Sequence, residues 1–288
     1  MVKISVIIPT YNRPVSLEKC LDALVNQTVD SSAWEVVVVN DGGEPLDSLL
    51  TKYQNRINCK SINQENCGPA SARNAGVERA AGQIIALLDD DCLPERNWIQ
   101  QIINHAKPGT IIGGKVNNFY NENLFSEASQ VLIDFLYAFN EGRKDAFFTS
   151  NNFCLFREDF VRLKGFSTAF QTSAGEDREF CVRAENQGVK LIFNPEMKIR
   201  HAHKLSFISF CQLHKKYGFA AFDYQKSLQK QGVKFNSSPR LAFYFKMLKF
   251  PFKQAEYNFY QKAVLAFLLG ISQFFVAVGF FQNKLLAN

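Results

Sequence analysis

The chain has 288 residues, with only four histidines, three methionines and two tryptophans. Its seven cysteines (Cys20, Cys59, Cys67, Cys92, Cys154, Cys181 and Cys211) include no C-x-x-C pair and are odd in number. That spacing excludes a zinc knuckle and a disulfide scaffold, and it points to a reducing compartment. The apolar run Ile4–Ile8 is cut short by Pro9, so it is too brief for a secretory signal and the chain is expected not to be secreted. No G-x-G-x-x-G follows an apolar run, and Gly113-Gly114-Lys115 lacks the following Ser or Thr of a triphosphate loop. A nucleotide would therefore have to be held by side chains and a metal. With 47% hydrophobic and 21% charged residues, disorder and fibrous architectures are excluded as well.

Acidic residues are nearly missing from one end. Residues 1–203 carry 21 Lys/Arg against 25 Asp/Glu, whereas 204–288 carry 12 against only Asp223 and Glu256. The same tail holds 20 of the 39 aromatic residues. A basic, aromatic-rich segment calls for a neighbour that is both anionic and apolar, which fits an anionic membrane surface and not nucleic acid. Ala263–Phe281 is 19 residues without a charge, at the lower limit for a membrane span. Gly270, Ser272 and Gln273 interrupt its middle, so in-plane or re-entrant association is expected in preference to crossing. Upstream, Lys246, Lys249 and Lys253 lie amid Phe243, Phe245, Leu248 and Phe250, which predicts an in-plane amphipathic helix within Arg240–Lys253, broken by Pro251. The alternative is a helical pair packed on the rest of the chain. If the tail only anchors, a chain ending near residue 239 is expected to be soluble.

The first half alternates strand and helix patterns. Ile4–Ile8, Val36–Val39, Cys59–Ile62, Ile84–Leu88 and Ile111–Val116 read as strands. Helices are predicted from Pro14, with Leu17, Leu21, Leu24 and Val25 on one face, over Ala70–Ala81 with Gly82 as the stop, and from Pro94. Asn152–Phe156, Lys190–Phe193 and Met197–His203 look like further strands, Glu176–Gln187 like a helix closed by Gly188, and the chain after residue 203 reads as helical. Such alternation means a parallel sheet covered by helices, with ligands bound beyond the carboxyl ends of the strands. Asp41 and the triplet Asp89-Asp90-Asp91 fall at such ends. Three adjacent carboxylates repel one another unless a cation sits among them, and Mn²⁺ or Mg²⁺ takes one or two carboxylates together with phosphate oxygens.

Six segments then fall in one order: Ser5-Val6-Ile7-Ile8-Pro9-Thr10-Tyr11-Asn12-Arg13; Val36–Val39 with Asn40-Asp41-Gly42-Gly43; Asn66–Gly76; Leu87-Leu88-Asp89-Asp90-Asp91; Gly175-Glu176-Asp177-Arg178-Glu179-Phe180; and His201-x-His203. Together they resemble the family 2 glycosyltransferases over residues 3–203. The resemblance implies an α/β fold of the GT-A type: a Rossmann-like, mostly parallel sheet flanked by helices. Residues 1–203 would be the catalytic domain and 204–288 a helical, membrane-associated appendage. It implies a divalent cation (Mn²⁺ or Mg²⁺) and a nucleotide-diphospho-sugar donor, most simply UDP-linked. The acceptor would be a glycan or lipid-linked sugar at the cytoplasmic face of the membrane, as in cell-surface polysaccharide synthesis.

By the same resemblance, Pro9, Thr10, Tyr11 and Arg13 line the donor site, and Asp41 accepts from the base. Arg73 and Asp89 approach the ribose or diphosphate, while Asp90 reaches the ribose or faces water. Asp89, Asp91 and His203 are the implied metal ligands, and His201 and His203 would share a face if both lie in a strand. Asp177 is the implied general base of an inverting displacement, with Glu176 in support and next in line. Trp98, Asn151 and Asn152 border the acceptor, or else belong to core or caps. The competing readings are a polyprenyl-phosphate sugar transferase and a non-catalytic sugar-nucleotide-binding protein.

Overall fold

The computed structural model describes residues 3–143, 145–170, 174–230 and 241–287. The chain forms two compact units: Met1–Asn117 with Lys144–Thr168 and Phe180–Ala202, and Asn118–Arg143 with Ala169–Glu179 and His203–Asn288. In chain order the elements begin β1 (Ile4–Thr10), α1 (Pro14–Val25), β2 (Trp34–Asp41), α2 (Asp47–Thr51), β3 (Cys59–Gln64), α3 (Pro69–Glu78), β4 (Ile84–Leu88), β5 (Cys92–Pro94) and α4 (Trp98–His105). They continue β6 (Thr110–Asn118), α5 (Leu124–Asn140), β7 (Asn152–Phe156), α6 (Arg157–Arg162), α7 (Glu176–Asn186), β8 (Lys190–His201), α8 (Phe207–Lys230), α9 (Leu241–Lys249) and α10 (Phe259–Leu286).

The first unit is built on one eight-stranded sheet in the order β3-β2-β1-β4-β7-β6-β8-β5. β1 lies parallel to both β2 and β4, and β2 parallel to β3. β7 then runs antiparallel to β4 and β6, and β5 antiparallel to β8, so the sheet is mixed beyond β4. The continuous apolar runs of β1, β2 and β4 are buried on both faces, as strands of a helix-covered parallel sheet must be. Pro14 opens α1, whose buried stripe Leu17, Cys20, Leu21 and Leu24 joins one core with Ile4, Val6, Val36, Val38, Ala86 and Leu88.

Several sequence-based boundaries shift for identifiable reasons. Gly82 is not the stop of α3, which ends at Glu78; its N–H donates to Ser5 Oγ at 2.9 Å, and a Cβ there would lie 2.7 Å from the backbone of Ile4 and Ser5. Pro94 ends the short strand β5, and α4 starts at Trp98. The segments on either side of Pro195 form one strand, β8, which stops at His201, so His203 lies beyond it. Gly188 does close α7, with φ +84° and a Val189 N–H bond to Ala184 O. Gly113-Gly114-Lys115 sits inside strand β6.

The second unit is helical. α5, for which no element is predicted, packs with the tail helices around Val131, Leu132, Phe135, Phe210, Met247, Leu265, Leu268 and Leu269. A Cβ on Gly218 of α8 would come 1.9 Å from Val276 O, and one on Gly279 of α10 1.8 Å from Lys215 O, so only glycine permits this helix crossing. The predicted helix before Pro251 is α9, followed by a 3₁₀ turn at Pro251–Lys253; Arg240 lies outside the described residues. Because Met247, Leu265, Leu268 and Leu269 complete this core, a chain ending near residue 239 would leave Phe135 and Phe210 uncovered, which counts against the expectation that it is soluble.

Candidate active site

β1, β2 and β4 are adjacent and parallel, so their carboxyl ends deliver Thr10, Asp41 and Asp89 to one edge of the sheet. Asp41 is buried where β2 pairs with β3. Its Oδ1 accepts from Gln64 Nε2 at 2.7 Å and from the Cys67 N–H at 2.9 Å, and its Oδ2 accepts from the Gly68 N–H at 2.9 Å. The carboxylate thus fixes the loop that opens α3 and keeps acceptor capacity on Oδ2.

The triplet forms a compact charged cluster. Arg13, preceding α1, donates from Nη1 to Asp90 Oδ1 at 2.9 Å and from Nη2 to Asp91 Oδ2. Thr10 Oγ1 donates to Asp90 Oδ2 at 2.7 Å. Arg73, buried on α3, donates to Asp89 Oδ1 at 2.7 Å and lies 5.8 Å from the Phe166 ring centroid. Asp91 also meets His201, whose Nε2 is 3.2 Å from Oδ1. That contact follows from strand pairing: Cys92 of β5 lies opposite His201 of β8, and the Ala202 N–H donates to Asp91 O at 2.8 Å. His201 shares its side of β8 with the buried Met197 and Ile199.

Burial and pairing separate the neighbouring carboxylates. Burial pushes Asp90 up to about 7, against the pull of Arg13 and Thr10 and helped by Asp91 and Asp89. Burial acts the same way on Asp91, but the positive charges and hydrogen bonds of His201 and Arg13 outweigh it and hold Asp91 well below the usual carboxylate range. His201 in turn is raised: burial would lower it, and Asp91 overrides that. Asp91, Cys92 and His201 place their ligand atoms within 4.8 Å of one another. Burial pushes the Cys92 thiol far up, so it stays protonated, and the usable donors are a carboxylate and an imidazole. That set, next to the partly exposed Asp89, fits Mn²⁺ or Mg²⁺ and does not suit a thiolate-seeking metal.

The remaining residues singled out from the sequence divide. Pro9 is part-buried at the end of β1, and Tyr11 is half exposed just beyond it. Trp98 and Asn152 take the core alternative: both are fully enclosed, with Trp98 Nε1 donating to Asn152 Oδ1 at 2.8 Å and Asn152 Nδ2 donating to Lys115 O and Met197 O. They tie α4, β6, β7 and β8 into one core. Asn151 is buried as well, its Oδ1 accepting from Thr149 Oγ1 at 2.8 Å. In the second unit, Asp177 stands in the first turn of α7, where its Oδ1 accepts from the Arg178 N–H at 2.7 Å. Glu176 beside it is buried, and its charge opposes the lowering of Lys216 by burial. His203 is also in that unit, its backbone oxygen accepting from Ser126 Oγ at 2.9 Å. The histidine on Asp91 is therefore His201. The strand pairing that selects it needs β5, a three-residue element too short to show in a hydropathy pattern.

Solved structures with the same architecture place this fold in the GT-A class. Mannosyltransferase PcManGT from Pyrobaculum calidifontis, in complex with GDP-Man and Mn²⁺, aligns over 98% of this chain and 87% of its own, with TM-score 0.67 and 17% identity. S. aureus TarS in complex with UDP-GlcNAc aligns over 99% and 92%, with TM-score 0.56 and 15% identity. Residues 5–163 match the profile described as Glycosyl transferase family 2, and the chain belongs to that family. Residues 138–206 match the one described as N-terminal domain of galactosyltransferase. Among curated relatives, Glycosyltransferase AglE of Haloferax volcanii is 37% identical over 41% of this chain and 40% of its own length. Validoxylamine A glucosyltransferase of Streptomyces hygroscopicus subsp. limoneus is 28% identical over 67% and 50%. The matched region spans only about half or less of each of these proteins.

Proposed function

We propose that the chain is an inverting, divalent-cation-dependent glycosyltransferase that moves a sugar from a UDP-linked donor to a hydroxyl of a glycan or lipid-linked acceptor. The reading rests above all on Asp89 and Asp91 at the carboxyl end of β4, with Asp91 buried between Arg13 and His201. Asp91 and His201 would hold the cation. When bound, the cation would offset the charge that develops on the diphosphate as the sugar departs. Arg73 and Asp89 would meet the ribose or diphosphate, and Arg13, released from the aspartates, would turn to the phosphate. Pro9, Thr10, Tyr11 and Asp41 would enclose the base; a carboxylate accepts and does not donate, which suits the imide N–H of uracil. The fold neighbours bound to GDP-Man with Mn²⁺ and to UDP-GlcNAc support a nucleotide-sugar donor and a cation.

Asp177 would take the proton of the acceptor hydroxyl, and a single base with direct displacement inverts the anomeric centre. Residues 1–203 would carry the transfer chemistry. Residues 204–288 would bring the chain to an anionic membrane at the cytoplasmic face, where lipid-linked and cell-surface glycans are assembled.

A thermal-shift screen of nucleotide sugars with and without Mn²⁺ tests the donor and cation together, since a ligand of the native state raises its stability by mass action. The expected result is stabilisation by a UDP-sugar that requires Mn²⁺, together with slow release of UDP from it. No stabilisation by any nucleotide sugar in either condition would favour a non-donor-binding role and overturn the proposal.

A further inference from the structure

The outward side of α10 carries an unbroken apolar stripe. Phe267, Phe274 and Phe281 recur every seven residues and are 68%, 63% and 59% exposed, with Tyr260 and Ala263 exposed before them and Gly270, Ala277 and Val278 between them. From Tyr260 to Phe281 the stripe runs about 32 Å at 1.5 Å per residue. The opposite side of the same helix is committed to protein. Leu265, Leu268, Leu269 and Ser272 are buried there, and Gly279 lies against the α8 backbone. Asn283 Nδ2 donates to Phe219 O at 2.8 Å and to Asp223 Oδ1 at 3.0 Å. A helix fastened along one side to soluble-facing helices cannot cross a bilayer with its whole circumference in hydrocarbon.

The charges on α10 itself have one sign. Lys262 and Lys284 bracket it at the two ends. At its start the Phe259 ring lies 6.3 Å from that of Phe252, which continues the apolar surface to the exposed Phe245, Leu248, Lys246, Lys249 and Lys253 of α9 and the 3₁₀ turn. Glu256 is the sole acid from residue 241 to 287. An apolar strip with a basic margin matches an anionic lipid surface better than a protein partner, whose groove would need to supply acids at both ends. The first half of the stripe also opens into a cleft of about 600 Å³, lined mostly by apolar residues such as Phe125, Leu205, Phe207, Val264 and Phe267, with Glu122 as its one acid.

We propose that α10 is a one-sided membrane helix: it lies in the plane of an anionic leaflet, with Phe267, Phe274 and Phe281 at the boundary between headgroups and acyl chains, while its other side stays packed on α5 and α8. This rests on the reading of the tail as membrane-associated, and it names the face and the mode. The lysines attract and the aromatics penetrate, so binding has a salt-sensitive part and a part that salt does not remove.

The test uses the full chain and vesicles of phosphatidylcholine with or without phosphatidylglycerol. The wild type is expected to float with the anionic vesicles and to be released by alkaline carbonate. Phe267→Gln/Phe274→Gln/Phe281→Gln is expected to lower partition at least tenfold at unchanged melting temperature, and Lys246→Gln/Lys249→Gln/Lys253→Gln to remove most of the salt dependence. A Phe274→Trp variant reports depth, because the native Trp34 and Trp98 are buried and give a constant background. Its emission should be quenched by lipids brominated near the headgroup end of the acyl chain. Stronger quenching by bromines at the methyl end would mean a span and overturn the in-plane mode. Anionic-vesicle binding that survives the triple Phe change would overturn the face and leave the membrane reading standing, whereas a wild type that never floats would overturn both. Sedimentation as a dimer that the triple Phe change dissolves would assign the stripe to a second copy instead.

Discussion

His201 Nε2 lies 3.2 Å from Asp91 Oδ1, on the far strand of an antiparallel pair that puts Cys92 opposite His201. The carboxylate is therefore held from two sides by different parts of the chain, Arg13 on one oxygen and His201 on the other. Asp91→Asn removes the charge and keeps the shape. Donor affinity measured by calorimetry is expected to fall at least tenfold with Mn²⁺ present and to stay unchanged without it. Equal affinities of variant and parent in Mn²⁺ would remove Asp91 from the cation site.

Arg13 occupies the place of a counter-cation for Asp90 and Asp91. Arg13→Ala leaves two buried carboxylates short of a charged donor, which costs about 1–3 kcal/mol. The cation-free variant should melt lower than the parent, and Mn²⁺ should raise its melting temperature by more than it raises the parent's. A smaller Mn²⁺ shift in the variant would mean that Arg13 does not compete with the ion.

Asp177→Asn keeps an Oδ1 that can accept the Arg178 N–H, so the first turn of α7 is preserved. Donor binding is expected to be unchanged while transfer falls on the order of 10²–10⁴-fold, the usual cost of losing a general base. A loss of less than about tenfold would pass the role to Glu176.

Trp98→Phe fills most of the same space but strands Asn152 Oδ1 in the core. It should lower unfolding stability by about 1–3 kcal/mol and leave donor affinity as it was. A change in acceptor KM at unaltered stability would return Trp98 to the acceptor side.

His214 is wholly buried on α8 between the Phe210 and Tyr217 rings, with Nε2 3.1 Å from Ser129 Oγ. Burial lowers it to about 4 from 6.5. The folded chain thus holds a neutral imidazole that the unfolded chain protonates more readily. Stability is full above about pH 6.5 and is lost as pH falls toward 4, by at most about 3 kcal/mol. Denaturant titrations of His214→Gln across that range should show a shallower acid loss; an identical slope would place the acid sensitivity elsewhere.

The apolar runs Ile4–Ile8, Val36–Val39 and Ile84–Leu88 are legible as parallel strands because strands buried on both faces have no polar alternation to confuse them. Asp41 and the triplet stand out because charge directly after such a run must lie at a strand end. The segment from Leu124 to Asn140 did not declare itself as α5. Its burial partners lie far along the chain, Leu265 and Leu269 more than a hundred residues away. Pro195 disguised β8 as two pieces, and the strand ends at His201, short of His203. Trp98 and Asn152, polar or amphipathic residues beside a presumed cleft, look functional in sequence; only the tertiary hydrogen bonds reveal them as a satisfied core pair.

The crossing of α8 and α10 at Gly218 and Gly279 has a mechanical corollary. At both points the facing helix's backbone occupies the space where a side chain would stand. Sliding α10 by one turn along α8 would bring bulky residues into those notches, and rolling it about its own axis would do the same. The pair is keyed, like a shaft with two slots, so the azimuth of the Phe267, Phe274 and Phe281 side is set by two missing methyl groups at the crossing, one on each helix. Gly279→Ala, far from any lipid, would tilt that side without altering a single residue on it.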